Sequence, residues 1–242
     1  MDSYDLQARH APALFAVLPI LLVALALVPG LGSAKLQVGS IGLLLLVTLG
    51  LVATRFARSA GRARQDELFA SWGGMPTTAM LRFRDGRLNR QTKKIYRDRL
   101  SRLGTSFPIP DEETERRDPD GADIQIAAAM DEVRRLAKEK GIKAVQRENI
   151  NFGAARNAFG LKRYGLGACL IAAVTLTLAV LLRDKATPTP LDISVAMSLI
   201  VIAAIWLFAC TGDRVRQHGE AYARALFEAI DNLVSGKQAQ SA

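Results

Sequence analysis

The chain has 242 residues, of which 50% are apolar, and it carries 32 Lys and Arg against 23 Asp and Glu, a net charge of +9. The apolar residues gather in a few blocks, and this argues against a disordered chain, a disulfide-stapled scaffold and an ordinary soluble globule. Two cysteines and two histidines leave little material for a metal site.

Four blocks without any charged residue predict transmembrane helices. Each contains 19 to 24 residues, which at a rise of about 1.5 Å per residue would cover roughly the hydrocarbon thickness of a bilayer. A cleaved signal peptide is the alternative for the first block, but Asp2 and Asp5 precede it with only Arg9, so the usual basic start is missing. The blocks are residues 11–34, 36–54, 164–182 and 193–212.

Short connections pair these blocks into two hairpins. Pro29 to Gly32 predicts a tight reversal in the first, and Pro188 and Pro190 lie in the connection of the second, where Asp192 is the predicted N-cap of the last helix. The predicted fold is therefore an all-α membrane protein of two transmembrane helical hairpins joined by a helical cytoplasmic domain. Its parts are a first hairpin at 1–54, a basic domain at 55–163, a second hairpin at 164–212, and a C-terminal amphipathic helix and tail at 213–242.

The distribution of basic residues predicts the orientation. The connection 55–163 holds 24 of the 32 Lys and Arg. By the positive-inside rule this connection and both termini are cytoplasmic, which predicts a multi-pass protein of the bacterial inner membrane.

Hydrophobic periodicity predicts three helices outside the blocks. One runs from Asn89, as its cap, to Leu103, and a second runs from Gly121 to Lys140 and is closed by Gly141. A third, Arg214 to Ser235, is ended by Gly236; its wide apolar stripe should cover the central domain or a second subunit.

Weaker local signals complete the central domain. Gly73 and Gly74 should stop a helical continuation of the second block, and a short helix is predicted from Thr78 to Phe83. The acidic run 111–115 is predicted to be a solvated loop, and 142–146 is the one strand candidate.

The basic residues are most concentrated between positions 82 and 102. Three interpretations stay open: contact with anionic lipid headgroups or a solvated topological signal, contact with an acidic surface on a partner or on the chain's own 111–123 stretch, and binding of nucleic acid or a nucleotide. Only Phe83 and Tyr96 interleave with the charges, which gives little support to a stacking platform for bases. The candidate contact residues are Arg82, Arg84, Arg87, Arg90, Lys93, Lys94, Arg97 and Arg99.

A strip of small side chains runs down the third block at spacings of 3, 4, 3 and 4. Such a strip lets helix backbones approach closely in lipid, either within one chain or between the subunits of a homo-oligomer. It comprises Gly165, Ala168, Ala172, Thr175 and Ala179.

The two cysteines lie in the third and fourth blocks. Cys169 is five residues into the third block and Cys210 is three residues before Asp213. Because the two blocks run in opposite directions, both thiols are expected at a similar depth. A reducing cytosol argues against a structural disulfide.

Nothing in the sequence predicts catalysis. There is no P-loop, no G-x-S-x-G, no H-E-x-x-H and no Cys/His ligand spacing, so we expect no enzyme activity, no cofactor and no metal. The four blocks contain no Asp, Glu, Lys, Arg or His, which argues against proton relays, ion-coupled transport and voltage sensing.

Three segments carry a resemblance: Gly74-x-Pro-Thr-Thr, the following Leu81-Arg82-Phe83-Arg84-Asp85, and 149–157. Together they resemble a loose group of bacterial four-span membrane proteins with such a central cytoplasmic segment. The layout also resembles membrane effectors of anti-phage defence systems, in which a cytosolic sensor releases a membrane-damaging subunit. This resemblance implies an inner-membrane effector or channel-like subunit controlled by its cytoplasmic domain. The alternative is a non-conducting anchor that recruits a cytosolic protein or a nucleic-acid complex.

Overall fold

A computed structural model of the chain describes residues 8, 10–27, 52, 54–103, 108–183 and 186–241, with only the backbone for residues 25 and 236–241. The described residues are overwhelmingly helical and include no strand, which confirms the all-α fold class. The second apolar block, 36–54, lies almost entirely outside the described residues, as does the reversal at 29–32.

The described helices follow the chain in this order. They are α1 (Ala11–Leu27), α2 (54–63), α3 (Gln65–Ser71), α4 (Pro76–Ala79), α5 (Arg90–Arg102), α6 (Glu112–Arg117), α7 (Pro119–Glu139), α8 (Lys143–Leu181), α9 (Pro190–Ala204), a π-helix (Ile205–Ala209) and α10 (Gly212–Ser241).

The chain divides into two compact units. The first, here called the apolar unit, comprises residues 1–65 and 153–214; the second, the charged unit, comprises 66–152 and 215–242. Residues 55–65 and 153–163, which the sequence assigns to the central domain, belong with the apolar blocks in this division. Helix α8 contributes its first ten residues to the charged unit and continues without interruption in the apolar unit.

Two helical stretches are long and apolar enough to cross a membrane, Lys143–Leu181 and Pro190–Ala209. In their most apolar windows only 22% and 28% of the residues are buried. The core helix of a water-soluble protein is typically mostly buried, and these two windows are not. Helix α1 is apolar but, with 17 described residues, shorter, and it contains Pro19.

The apolar unit has two buried clusters, each joining α1 to the pair formed by α8 and α9. The first cluster surrounds Trp206 and also involves α2. The second cluster lies farther along α8 and includes Val23 of α1. The members of the two clusters are Ala13, Ala57, Leu161, Cys169, Ile202 and Trp206 for the first, and Val23, Ala172, Leu176, Val195 and Leu199 for the second.

The start of α9 differs from the prediction. The N-cap is Thr189, whose hydroxyl accepts the N–H of Asp192 at 3.2 Å, while the Asp192 carboxylate accepts the N–H of Thr189 at 2.8 Å. Asp192 is therefore the third residue of a capping box, and Pro190 takes the first helical position, where its missing N–H costs nothing. Arg183, at the end of α8, also pairs with Asp192.

In the charged unit, two of the predicted helices are confirmed. Helix α5 is capped by Asn89, whose side chain accepts the N–H of Thr92 at 2.7 Å. Helix α7 has its last residue at Glu139 and is closed by Gly141, whose φ of +62° is a conformation in which glycine meets no steric penalty. Gly73 and Gly74, also at positive φ, end α3 as predicted.

Four local predictions are wrong. The acidic run forms helix α6 with Asp111 as its N-cap. The Asp111 carboxylate accepts the N–H of Thr114, and the glutamates of the first turn are stabilised by the helix dipole. The strand candidate 142–146 is the start of α8, since the glycine-terminated end of α7 leaves room for a new helix and tertiary context overrides β propensity. Helix α4 ends at Ala79 and turns follow it. Gly236 does not end α10, because one glycine inside a helix costs only about 1 kcal/mol.

The apolar stripe of α10 is buried inside the charged unit. Its Tyr222 ring stacks on Phe152 with centroids 6.3 Å apart, and Phe227 packs on Tyr96 at 5.3 Å. At Gly219 an added Cβ would lie 3.2 Å from Pro76, so the helix backbone passes close to the start of α4. The sequence left open whether this helix covers the central segment of its own chain or a second subunit. In the structure it covers the central segment of its own chain.

Candidate functional site

The basic run between residues 82 and 102 is largely neutralised by carboxylates of the same unit. Arg82 holds both oxygens of Asp123 in a bidentate pair, with Nε at 2.7 Å and Nη2 at 2.6 Å, and Arg84 reaches the same carboxylate at 2.9 Å. Arg87 pairs with Asp85 at 2.6 Å. Bidentate arginine–carboxylate geometry is the strongest form of such a pair.

Three further cations of the run lie on α5. Arg90 pairs with Glu112 of α6, and Arg99 pairs with Asp231 of α10 at 2.6 Å. Lys94 is exposed and helps to lower the pKa of Glu112, although the hydrogen bond from Arg90 is the larger cause. Helix α5 is thus tied by charge to both α6 and α10.

Arg97 is the buried centre of this network. Its guanidinium donates to the carbonyls of Leu81 at 3.1 Å and Pro110 at 2.9 Å and pairs with Glu115, with side-chain exposures of only 6% and 4% for the two partners. The guanidinium also lies 4.1 Å from the centroid of the Phe83 ring. Glu115 in turn accepts the backbone N–H of Phe83 at 2.9 Å. An arginine with these four partners positions three chain segments and is not available to a ligand.

Burial and hydrogen bonding perturb the neighbouring charges in opposite senses. Burial lowers the pKa of Lys93, whose ammonium donates to the carbonyl of Asp85. Burial raises the pKa of Asp85, but the hydrogen bonds and charge of Arg87 outweigh it, and the net pKa is lower than the usual 3.8. Both groups bond within the unit and tie its segments together.

A surface cavity of about 430 Å³ lies beside this network. Arg97 and Phe83 line its inner side, and Lys94 lies with Asp98, Asp111 and two glutamates around it. Because cations and carboxylates are mixed around the opening and Arg97 is already satisfied, the lining has no preference for a ligand of one charge. No chemistry follows from this cavity.

The excess positive charge of the chain lies elsewhere. Lys and Arg number 20 against 18 Asp and Glu in the charged unit, but 12 against 5 in the apolar unit. The net charges are +2 and +7, so most of the +9 belongs to the unit that also holds the apolar helices. The sequence analysis missed this partition because it depends on which residues fold together.

Helix α2 presents part of that charge on one face, which we call the arginine face (Arg55, Arg58 and Arg62). These residues follow a spacing of 3 and 4, so they share one side of the helix, and all three are exposed. Among the described residues none of the three has an acidic partner. The buried residues of α2 are each one position earlier, at Thr54, Ala57 and Gly61.

The buried side of α2 crosses α8 at two glycines. An added Cβ at Gly160 would lie 2.5 Å from the carbonyl carbon of Ala60 and from the nitrogen of Gly61, so the two backbones are in contact. Asn157, one turn away, is 2% exposed and donates to the carbonyl of Ala8 at 2.8 Å. These contacts fix α2, and with it the direction of the arginine face, against α8.

The predicted small strip on α8 is only partly used inside the chain. Gly165 lies directly against the indole of Trp206, and Ala172 is 1% exposed within the cluster around Leu199. Ala168 and Ala179 are half-buried, whereas Thr175 is exposed and its hydroxyl donates to the carbonyl of Ile171 at 2.8 Å. Packing within one chain accounts for the buried members.

The two cysteines do not lie at the same depth. Gly165 faces Trp206, and four residues farther along α8 is Cys169, level with Ile202 in the same cluster. Cys210 is eight residues beyond Ile202, which corresponds to about 12 Å along a helix axis. The sequence missed this because the register of two packed helices depends on where Trp206 fits, and block boundaries do not specify it.

No catalytic constellation appears among these contacts. Within the described ranges no three His, Cys, Asp or Glu side chains come together in a way that could hold a metal ion. No family model, curated protein or solved structure matches this chain.

Proposed function

We propose that this protein is a multi-span inner-membrane effector or channel-like subunit controlled by its cytoplasmic domain, of the kind used in anti-phage defence. One observation carries the membrane part of this proposal. Between Leu170 and Phe208, fourteen large apolar side chains are exposed along α8, α9 and the π-helix. A continuous apolar surface of that extent would aggregate in water, whereas lipid is a solvent in which it costs nothing.

Charge supports the orientation in the proposal. The +7 of the apolar unit includes Arg55, Arg58 and Arg62 along α2, which follows the second block, and Lys162 and Arg163 near the middle of α8. Cations close to the ends of apolar helices favour the cytoplasmic side. In this arrangement the charged unit, the end of the second block and the start of the third are cytoplasmic, and the hairpin tip at Thr189 faces the periplasm.

Control by the charged unit is the functional part of the proposal. Helix α8 is uninterrupted from Lys143 to Leu181 and contributes to both units. A partner that binds one arrangement of the charged unit more tightly would shift the population of helix arrangements, with a tenfold preference contributing about 1.4 kcal/mol. The blocks contain no Asp, Glu, Lys, Arg or His, so conduction would come from assembly or bilayer disturbance.

A second candidate is a non-conducting anchor that recruits a cytosolic protein. The direct packing of α8 on α9 through Ala172, Leu176 and Leu199 favours it, because a tight pair encloses no polar path. Recruitment of nucleic acid loses support, since the basic run is paired with Asp123, Glu115 and other carboxylates. Phosphate backbones need cations that are free to replace counterions.

The first test asks whether the chain spans the membrane in the proposed way. A reporter that is active only in the periplasm should be active when inserted near Lys35 or Thr187 and inactive when fused after Ala242. An active fusion after Ala242 would reverse the proposed orientation. Recovery of the wild type in the soluble fraction would refute the membrane proposal itself.

The second test separates effector from anchor. With its native neighbours and under their triggering condition, the expressed protein should depolarise cells, as measured with a potential-sensitive dye. Thr175→Leu alters the exposed member of the small strip and should suppress depolarisation if subunits meet there. Thr177→Leu, exposed on another side of α8, is the matched control. An unchanged potential and no leakage from liposomes would favour the anchor.

A further inference from the structure

The charged unit and the apolar unit differ in how much of their positive charge is satisfied. In the charged unit Arg82, Arg84, Arg87, Arg90, Arg97 and Arg99 all pair with carboxylates. On the arginine face of the apolar unit, no carboxylate of the described residues pairs with Arg55, Arg58 or Arg62. Three exposed guanidinium groups without a carboxylate partner among the described residues are available to bind an anion from outside the chain.

An aromatic pair marks a polar–apolar boundary on the same helix. Phe56 of α2 meets Tyr164 of α8 edge to face with centroids 4.7 Å apart, and both rings are about 40% exposed. Arg163 lies 4.6 Å from the centroid of the Tyr164 ring and donates to its hydroxyl. Exposed aromatic rings with adjacent cations, at the point where an apolar helix begins, are typical of the headgroup level of a bilayer.

Further along α8, toward Leu182, and along the π-helix the surface is apolar. Phe208 is 81% exposed, and Lys162 donates through its ammonium to the carbonyl of Leu207 at 2.9 Å. The headgroup level therefore includes residues near 56, 163 and 208. Arg55 adjoins Phe56. Arg58 and Arg62 lie about one and two helical turns beyond Arg55, in the direction away from the second apolar block.

We propose that the arginine face binds the phosphate of anionic phospholipid headgroups, and that this face, rather than the basic run at 82–102, is the lipid-contacting surface of the protein. Guanidinium groups bind phosphate oxygens through paired N–H donors. A cation near an anionic membrane surface strengthens binding by about fivefold, so three of them give a strong preference for anionic over zwitterionic lipid. The inference depends on the membrane insertion proposed above.

Its position gives the contact a role in holding the fold. At the crossing of α2 on α8 the backbone of Gly160 lies directly against that of Ala60 and Gly61, so the two helices are closely coupled there. A lipid phosphate on the arginine face would therefore hold α2, and with it α8, at a defined depth. Loss of anionic lipid should loosen the boundary region before it affects the charged unit.

The test compares bound lipids in three versions of the full chain. The purified protein is incubated with equal amounts of phosphatidylglycerol and phosphatidylcholine of the same acyl chains, and bound lipids are counted by native mass spectrometry. The triple variant Arg55→Gln, Arg58→Gln, Arg62→Gln should lose phosphatidylglycerol binding by about tenfold or more relative to the wild type. The control triple Arg102→Gln, Arg116→Gln, Arg117→Gln removes the same charge from exposed positions of the charged unit and should change binding by less than about twofold.

A charge-conserving variant tests whether loss of binding reflects loss of folding. Replacing the same three arginines by lysine keeps the positive charge and should retain most of the preference at low salt. Four outcomes would each overturn the inference. The wild type could show no preference for phosphatidylglycerol, or the Gln triple could keep that preference. The Lys triple could lose it as fully as the Gln triple, or the control triple could lose as much binding as the Gln triple.

Two further experiments distinguish the lipid inference from the membrane proposal and from nucleic-acid binding. Carbonate extraction of membranes is done first: a soluble wild type refutes the membrane proposal, whereas a membrane-bound wild type without lipid preference refutes only the lipid inference. A single-stranded RNA is then added to the protein in phosphatidylcholine nanodiscs. RNA binding that the wild type shows and the Gln triple lacks would assign the face to nucleic acid and overturn the lipid assignment.

Discussion

The two units of this protein satisfy the same physical requirements in opposite ways. Of the 21 large apolar side chains that are exposed among the described residues, 19 belong to the apolar unit, and only Ile95 and Ile124 belong to the charged unit. The charged unit pairs its ions internally, while the apolar unit carries a net +7 with few carboxylates. In the proposed membrane arrangement each unit leaves exposed what its own surroundings can solvate, and this teaches that exposure has meaning only for a stated solvent.

The largest expected effect comes from breaking the buried pair in the charged unit. Arg97→Met would leave Glu115 buried without its cation and the carbonyls of Leu81 and Pro110 without a donor. The free energy of unfolding of the charged unit should fall by about 3–5 kcal/mol. Hydrogen exchange resolved by mass spectrometry should show faster exchange in α5 to α7 and little change in 161–181.

Its control is Arg90→Met, which removes an arginine whose side chain is 67% exposed and which pairs with Glu112. This change should cost less than about 1 kcal/mol, because solvent screens the pair. Equal losses in the two variants would mean that burial does not distinguish Arg97 from its exposed neighbours.

The matching experiment on the apolar unit is a change of one methyl group. Gly165→Ala would push a Cβ into the indole of Trp206, which is fully buried and packs on Phe15 at 5.1 Å. Overpacking of this kind costs about 1–3 kcal/mol. Thermal unfolding in detergent should show a lower midpoint. Hydrogen exchange should become faster at 158–170 and stay unchanged in α5 to α7.

Gly167→Ala is the control for this substitution. It lies two residues away on the same helix, and an added Cβ there meets open space. Alanine is the better helix former by up to about 1 kcal/mol, so this variant should be neutral or slightly stabilised. A destabilised Gly167→Ala would show that helix flexibility, and not the Trp206 contact, sets the outcome at Gly165.

A smaller effect on the charged unit depends on pH. Burial raises the pKa of Asp85, but the hydrogen bonds and charge of Arg87 together lower it by a larger amount. The folded pKa therefore lies below the usual 3.8. A carboxyl group with a lowered folded pKa stabilises the fold above its unfolded pKa and loses that contribution as the pH falls through the folded value. The contribution, on the order of 1 kcal/mol, should therefore be complete near pH 6 and decline below about pH 4.

Thermal midpoints measured between about pH 3 and pH 7 would check this. Asp85→Asn should lower the midpoint at neutral pH and flatten the acid part of the curve. Asp98→Asn, which removes an exposed partner of Arg102, should leave the curve close to that of the wild type. A curve for Asp85→Asn with the wild-type slope would refute the assignment.

The smallest effect tests the register of the apolar helices without a change in stability. With Cys169 level with Ile202, the native thiols of Cys169 and Cys210 are about 12 Å apart along the axis and should resist mild oxidation. In an Ile202→Cys, Cys210→Ser variant the new thiol faces Cys169 and should cross-link within one chain. Efficient cross-linking of the native pair would require a different register.

Sequence patterns alone determined the helical character of the long segments in both units, although not that of 111–115 and 142–146. Apolar blocks without charges, the amphipathic stripe before Gly141 and the cap at Asn89 each depend on neighbours within one or two turns, so they can be read from the chain. The all-α class follows from these local signals. The same reasoning placed Asp192 at the start of α9 but three positions from the true cap, because Thr189 and Asp192 both suit that turn.

Only the tertiary structure decided which partner each charge and each small residue has. In the sequence Arg97 and Arg90 are equivalent members of one basic run, yet one is buried against Glu115 and the other is exposed. Likewise Ala172 and Thr175 belong to one strip, but only Ala172 is enclosed. Pairing across many residues depends on how helices pack, and packing depends on the fit of whole surfaces such as Trp206 against Gly165. A pattern along one helix does not contain that information.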